Sequence, residues 1–135
     1  MTRTLILTRD LPFPPDRVWR AISTGALMED WLLPNDFQPV PGHRFTLRVQ
    51  PMPHWDGVIT AEVLHVEPPR ALSYTWVALG VVTEVHFSLE PTAQGTRLTM
   101  AQSGFAEDQA QNYAGARHGW TAFLDRLNET LTKEI

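Results

Sequence analysis

The feature that most constrains this chain is a regular alternation of apolar and polar residues that begins at Arg44 and ends near Gln102. In the first alternating segment, Phe45, Leu47 and Val49 are separated by threonine and arginine. Such alternation is typical of an antiparallel strand with one buried face. Short turns separate the segments, so the pattern predicts a meander of five strands, at residues 44–50, 58–67, 71–77, 82–90 and 96–102. The alternation is imperfect within residues 58–67, where we expect a β-bulge.

After the last of these strands, the spacing of apolar residues changes to that of a helix. Apolar side chains recur every three or four residues, which predicts an amphipathic helix over residues 107–132, packed across the concave face of the sheet. The stripe consists of Tyr113, Ala116, Trp120, Phe123, Leu124, Leu127 and Leu131. Glycine in a helix interior costs about 1 kcal/mol relative to alanine. Because this cost needs a compensation, we expect Gly115 and Gly119 to leave room beside Trp120, so that a strand, a loop or a ligand can approach the helix.

The N-terminal part of the chain predicts one strand followed by two short helices. Residues 3–11 alternate weakly and favour a strand, which the sequence "PFPP" ends. The last two of these prolines suit the start of a helix in "DRVWRAIS", because the missing N–H of proline costs nothing there. Ser23 or Thr24 is expected to cap a second helix over residues 25–33. The order of elements predicts an α+β fold with six antiparallel strands and a long C-terminal helix.

Length, composition and charge exclude several classes of protein. The chain has 135 residues, which suits a single domain over residues 1–135. It has no cysteine, which excludes disulfides, thiolate zinc sites and cysteine nucleophiles. A net charge of −4 argues against a nucleic-acid-binding surface. The sequence shows no signal-peptide h-region and no apolar run near the roughly 20 residues of a membrane span, so we expect a cytoplasmic protein.

Residues that bind metals or perform catalysis do not form a recognised motif in this sequence. The histidines are scattered, without H-x-H or H-E-x-x-H spacing: His43, His54, His65, His86 and His118. The sequence "HWD" at residues 54–56 is the best metal candidate, and it favours a polar turn instead. No G-x-S-x-G elbow and no phosphate-binding glycine loop occur. We therefore predict no metal site, no cofactor and no catalytic residue.

Four local motifs, in their order along the chain, carry a resemblance to a known family. They are "PPDRVWRAIS" followed by "MEDWLLP" and "PGHRF", then "VEPPRALSYTW", then "GTRLTMAQSGF", and finally "GWTAFLDRL". Over residues 3–132 the chain resembles the SRPBCC (START-like, birch-pollen-allergen-like) superfamily. Within it, the closest likeness is to the family of the activator of heat-shock protein 90 ATPase homologue C-terminal domain. The resemblance implies a helix-grip fold of order β-α-α-β5-α, in which a curved antiparallel sheet surrounds the C-terminal helix and leaves an internal cavity.

The resemblance also implies that large side chains between sheet and helix form a ligand pocket. Trp19, Phe123 and Leu127 are better explained as core, because large apolar side chains are usually buried by packing alone. Tyrosine and tryptophan also have a polar group that can orient a ligand. We expect Gln102 either to contact a ligand or to bond to backbone near Ser103. The candidate pocket residues are Trp31, Phe37, Phe45, Tyr74, Trp76, Val85, Phe87, Met100, Gln102, Tyr113 and Trp120.

Three functions are compatible with the resemblance, since the superfamily includes lipid carriers, polyketide cyclases, hormone receptors and co-chaperone domains. The sequence favours non-catalytic binding of a small hydrophobic or aromatic ligand, lipids included, in the cavity. One alternative is a co-chaperone-like interaction module with a chaperone partner or a second copy of the chain. The other is an enzyme of polyketide-cyclase type, for which a titratable group in the cavity would be needed.

Overall fold

The computed structural model describes residues 2–133. In this range, the helices and strands follow the predicted order. They are β1 (Thr2–Leu11), α1 (Pro15–Ile22), α2 (Gly25–Trp31), β2 (Arg44–Arg48), β3 (Val58–Glu67), β4 (Ala71–Ala78), β5 (Val81–Pro91), β6 (Thr96–Ala106) and α3 (Ala110–Lys133).

The strands form one curved antiparallel sheet against which α3 packs, which confirms the α+β helix-grip fold. The strand order is β1-β6-β5-β4-β3-β2, so the predicted meander from β2 to β6 is continuous and β1 is added beside β6. The pairing of β3 with β4 shifts register between Val63 and His65. The expected bulge therefore lies within residues 58–67, as the imperfect alternation indicates.

The main difference from the predicted boundaries lies between β6 and α3. Strand β6 continues to Ala106, because its end pairs with β1 through Thr2. A turn follows, in which the side chain of Gln109 accepts a hydrogen bond from the backbone N–H of Ala106 at 2.7 Å. Helix α3 consequently begins at Ala110, a few residues later than predicted. Its buried side chains are Trp120, Leu124, Leu127, Thr130 and Leu131, mostly the predicted stripe.

Helices α1 and α2 cover one end of the sheet and pack against α3. Thr24 occupies the N-cap position of α2, but its side chain makes no capping hydrogen bond. The Ser23 hydroxyl instead donates to the carbonyl of Trp19 at 2.6 Å, at the end of α1. Helix α2 ends at Trp31, because the next residue already leaves the helical conformation. No helix within residues 2–133 is long and apolar enough to cross a bilayer.

Beneath α1 and α2 the interior is filled by aromatic rings, and we call this region the packed end. The Trp31 indole donates to the Ala21 carbonyl at 2.9 Å and meets the Phe87 ring edge-on. The rings of Phe37, Phe45 and Tyr74 lie 5.2–6.2 Å apart, centroid to centroid. Edge-to-face contacts of this kind are the preferred arrangement of packed aromatic rings. The rings at the packed end are therefore buried and in contact with one another.

Candidate functional site

At the opposite end, a groove of about 400 Å³ lies between the first half of α3, the β4–β5 turn and the turn before β3. It is bordered by Met52, Trp55, Ile59, Trp76, Ala78, Leu79, Val81, Thr83, Gln102, Phe105, Gln111, Asn112, Gly115, Ala116, Gly119, Trp120 and Phe123. The expected space between sheet and helix is therefore present, as a groove with exposed side chains at its mouth. Its volume lies within the roughly 300–1,000 Å³ of small-molecule sites.

Trp120 is the central side chain of the groove and is itself only 2% exposed. Its ring centroid lies 5.3 Å from that of Trp76 and 5.4 Å from that of Phe123. On its inner side the indole meets Phe87, at 5.8 Å. Trp76 and Phe123 are half-buried, so these rings leave aromatic surface available on the groove side.

A tight turn brings a further tryptophan to the groove. Met52 and Trp55 exchange backbone hydrogen bonds of 2.8 and 3.2 Å around Pro53 and His54. The Trp55 indole is then fixed by donation to the Val58 carbonyl at 3.3 Å. The sequence "HWD" is therefore a turn, in which His54 is exposed and Trp55 borders the groove.

A chain of hydrogen bonds, which we call the polar chain, forms the inner wall of the groove. The indole N–H of Trp120 donates to Gln102 Oε1 at 2.9 Å. Gln102 Nε2 donates to Thr83 Oγ1 at 2.9 Å, and Thr83 Oγ1 donates to the Trp76 carbonyl at 2.8 Å. Gln102 thus bonds to two side chains, and the expected bond to backbone near Ser103 is not formed. A carboxamide has two N–H donors and an oxygen with two lone pairs, so one N–H and one lone pair of Gln102 take no part in these two bonds.

The two glycines of α3 leave open space at the groove. A Cβ added to Gly115 would meet no heavy atom within 4 Å. A Cβ added to Gly119 would meet only the edge of the Phe123 ring, at 3.9 Å, which is ordinary van der Waals contact. No strand backbone approaches either glycine within that distance. The glycines are therefore adjacent to the groove rather than to a close helix–sheet contact.

The side chains around the groove share one property, which is the absence of a charged group. They are aromatic, aliphatic, thioether, hydroxyl and carboxamide groups, together with two glycines. All of these groups are uncharged at neutral pH. The polar members are Thr83 and Gln102 at the inner wall and Gln111 and Asn112 on α3. The groove consequently presents an uncharged, mainly apolar surface with hydrogen-bonding groups at two places.

The structure brings only part of the predicted pocket set together. Trp76, Gln102 and Trp120 border the groove. Most of the others are buried and do not border it: Trp31, Phe37, Phe45, Tyr74, Val85, Phe87 and Met100. Tyr113 is half-buried against Phe105, with the Arg3 guanidinium 4.2 Å above its ring. Phe123, which the sequence assigned to the core, borders the groove because it follows Gly119 by one helical turn.

Tyr74 is the most unusual polar side chain of the packed end. Among residues 2–133, its hydroxyl is the one buried side-chain polar atom without a hydrogen-bond partner. Complete burial disfavours the phenolate and raises the pKa of Tyr74 far above its ordinary value. Tyr74 is therefore a neutral, unpaired hydroxyl at neutral pH.

Metal-binding geometry is not found in the described part of the chain. Within residues 2–133, no three or more His, Asp or Glu side chains are placed to hold a metal ion. His86 and His65 instead lie beside Glu84 and Glu67, at 3.1 and 3.5 Å, on the exposed face of the sheet.

Solved structures with the same architecture include close relatives of this chain. Protein MLL2253 from Mesorhizobium loti is 41% identical, with a TM-score of 0.92, over 98% of this chain and 99% of that one. Protein NE0264 from Nitrosomonas europaea is 25% identical, with a TM-score of 0.83, over 98% and 96%. CalU16 from Micromonospora echinospora is 26% identical, with a TM-score of 0.82, over 98% and 78%. No curated protein matches the chain.

A family model described as "Activator of Hsp90 ATPase homolog 1-like protein" matches residues 12–132. This range contains all of the groove and all of the polar chain. The resemblance found in the sequence motifs is thereby confirmed. The chain belongs to the family of Activator of Hsp90 ATPase homolog 1-like proteins, which is of the SRPBCC type.

Proposed function

We propose that the protein, as a single domain, binds a small uncharged ligand with an aromatic or aliphatic body in the groove beside Trp120. The observation that carries this proposal is the set of aromatic side chains around a space of about 400 Å³: Trp55, Trp76, Phe105, Trp120 and Phe123. Sites for small molecules are typically concave and apolar, with a few polar groups that fix orientation. The groove has this composition.

The uncharged lining supports a neutral ligand. Moving a charge out of water costs several kcal/mol unless an opposite charge or several hydrogen bonds compensate. The groove offers a carboxamide at Gln102 and further carboxamides at Gln111 and Asn112, which suit carbonyl, hydroxyl or ether groups. A ligand with one such polar group, placed near Gln102, would keep its apolar body against Trp76 and Trp120.

The same lining makes binding a better-supported function than acid–base catalysis. A general acid or base must lie within hydrogen-bond reach of its substrate and have a pKa near the working pH. The side chains of the groove do not titrate in that range. The unusual tyrosine, Tyr74, lies in the packed end instead.

A neutral fluorescent probe, N-phenyl-1-naphthylamine, tests this function directly. We expect saturable binding to the purified protein, with a rise in probe emission as the ring leaves water. Gly119→Leu should weaken binding at least about tenfold, because the leucine would occupy groove volume that a buried ring needs. The melting temperature should not fall, since leucine favours a helix over glycine by roughly 0.5–1 kcal/mol.

Ala122→Leu is the matched control, because Ala122 is exposed on the same helix and does not border the groove. This variant should bind the probe as the unmodified protein does. Absence of saturable binding, or equal affinity in the Gly119→Leu variant, would contradict the proposal. Where the probe binds as expected, native mass spectrometry of the protein purified from its own source should show the mass of a retained small molecule.

A further inference from the structure

The turn between β4 and β5 has a leucine in a conformation that leucine rarely adopts. Ala78 pairs with Val81, so Leu79 and Gly80 are the two central residues of the hairpin turn. Both have positive φ angles, 54° for Leu79 and 77° for Gly80. Two-residue turns with two positive φ angles are strongly enriched in Asn-Gly and Asp-Gly, because these residues tolerate the left-handed region.

Leu79 is unfavourable at this position in two independent ways. A bulky residue with a left-handed backbone is strained, and Leu79 is the one non-glycine residue with positive φ within residues 2–133. Its side chain is also 57% exposed, so an apolar surface faces water. Asparagine would relieve both costs at once. The turn requires a left-handed backbone at this position, but it does not require leucine. The strained leucine is therefore a reason to look for a function there.

The position of Leu79 indicates what that function is. Leu79 borders the groove at the β4–β5 turn, whereas Gln102 pairs with Val85 and so lies further into the sheet from that turn. Met52, on the separate turn before Trp55, also borders the groove and is also 57% exposed. The mouth of the groove therefore has exposed apolar side chains from two different turns. Thr83 and Gln102 supply hydrogen-bonding groups at its inner wall, and Gln111 and Asn112 supply others on α3.

We propose that Leu79 is a ligand-contacting residue, which covers the apolar outer end of a neutral ligand whose polar group faces Gln102. This inference rests on the proposed function and adds the orientation and the chemistry of both ligand ends. Contact with the ligand removes the leucine side chain from water, which compensates for its exposure in the free protein. The turn is then less stable than it would be with asparagine, and the affinity for the ligand is higher.

The test measures affinity for N-phenyl-1-naphthylamine and melting temperature in the same variants. Leu79→Asn should bind the probe about tenfold more weakly or worse, because a buried leucine side chain is lost from the contact. Its melting temperature should rise by about 2–5 °C, since asparagine suits the left-handed turn. Leu79→Met retains an apolar side chain and should keep the affinity within about threefold. Leu79→Gly also accepts the turn conformation, and it should weaken binding of the probe as Leu79→Asn does.

Val82→Thr is the control, because Val82 is 65% exposed next to the same turn but does not border the groove. Its affinity for the probe should be unchanged. Unchanged affinity in both Leu79→Asn and Leu79→Gly overturns the inference, while the proposed function stands if Gly119→Leu still blocks binding. A fall in both melting temperature and affinity in these variants also overturns it, since leucine would then act by holding the turn. Failure of the unmodified protein to bind the probe refutes the proposed function itself.

Discussion

The two ends of the interior contain the same kinds of residues and differ in what covers them. At the packed end, which α1 and α2 cover, Trp31 of α2 and the strand residues Phe45 and Phe87 are at most 3% exposed. At the groove end, Trp76 and Phe123 remain half-buried, because the covering element is the first half of α3. Aromatic residues therefore make a core or a site according to what lies above them.

The glycines of α3 make this difference larger. At the groove end the helix has Gly115 and Gly119 where side chains would otherwise fill the space. Further along α3, Leu124 and Leu131 are buried, and the helix contacts α1, α2 and β1. One helix thus buries its leucines along its second half and borders the aromatic groove along its first half.

A pair of phenylalanine truncations should show the largest contrast between the two ends. Phe87→Ala removes a ring that is 2% exposed, and we expect it to lower the free energy of unfolding by about 3–5 kcal/mol. Phe123→Ala removes a half-buried ring from the groove and should cost less than about 2 kcal/mol, because the site is already open to water. Denaturant unfolding of both variants measures the difference. Equal losses would mean that the groove end is packed as tightly as the other.

The polar chain should give an intermediate effect. Gln102→Met keeps the size of the side chain but leaves the Trp120 indole N–H without its acceptor, which should cost about 1–3 kcal/mol. Thr121→Ala is the control, because the Thr121 hydroxyl donates to the Arg117 carbonyl on the exposed side of α3. The free energy of unfolding of the Thr121→Ala variant should fall by no more than about 0.5 kcal/mol. A Gln102→Met variant as stable as the unmodified protein would show that the indole N–H finds water in the groove.

Tyr74 should give the smallest effect at neutral pH and a distinct effect in alkali. Tyr74→Phe removes an unpaired buried hydroxyl and should raise the free energy of unfolding by about 1 kcal/mol. Burial raises the folded-state pKa of Tyr74 above its ordinary value of 10, so the unfolded chain releases this proton first. Stability should therefore fall as pH rises above 10, by up to about 1.4 kcal/mol per pH unit.

The Tyr74→Phe variant has no hydroxyl to ionise, so it should lack this contribution to the loss of stability above pH 10. Melting temperatures of both proteins between pH 9 and pH 11 provide the measurement. Parallel declines in the two proteins would show that the Tyr74 hydroxyl is hydrated in solution.

Local periodicity was enough to predict the strands, the stripe of α3 and the glycines beside Trp120. These features depend on which face of an element a residue occupies, and that face follows from spacing along the chain. Spacing, together with the pocket that the family resemblance implies, also selected Trp76, Gln102 and Trp120, which border the groove. It selected Phe45 and Phe87 on equal grounds, because spacing does not say which end of the sheet is covered.

Trp55 and Leu79 were not predicted as site residues because both lie in turns. The direction of a turn side chain depends on the φ and ψ angles of a few residues and on how far the hairpin extends. The turn that presents Trp55, for example, depends on Gly57. This residue has a φ of 79°, and a Cβ there would clash with the Val49 carbonyl oxygen. The sequence "LG" at residues 79–80 was the available signal, because leucine is unusual in a two-residue turn.

The polar chain has a consequence for the uniqueness of the fold. An apolar interior tolerates many alternative packings, and a hydrophobic residue can often take its neighbour's place. If β5 slipped by one residue against β6, Thr83 would move to the outer face and Gln102 would be buried without its partner. An unpaired buried carboxamide is costly, so such a misaligned sheet would be penalised wherever the chain formed it. By this account the four residues that line the inner wall also keep the strands and α3 from settling in a wrong alignment during folding.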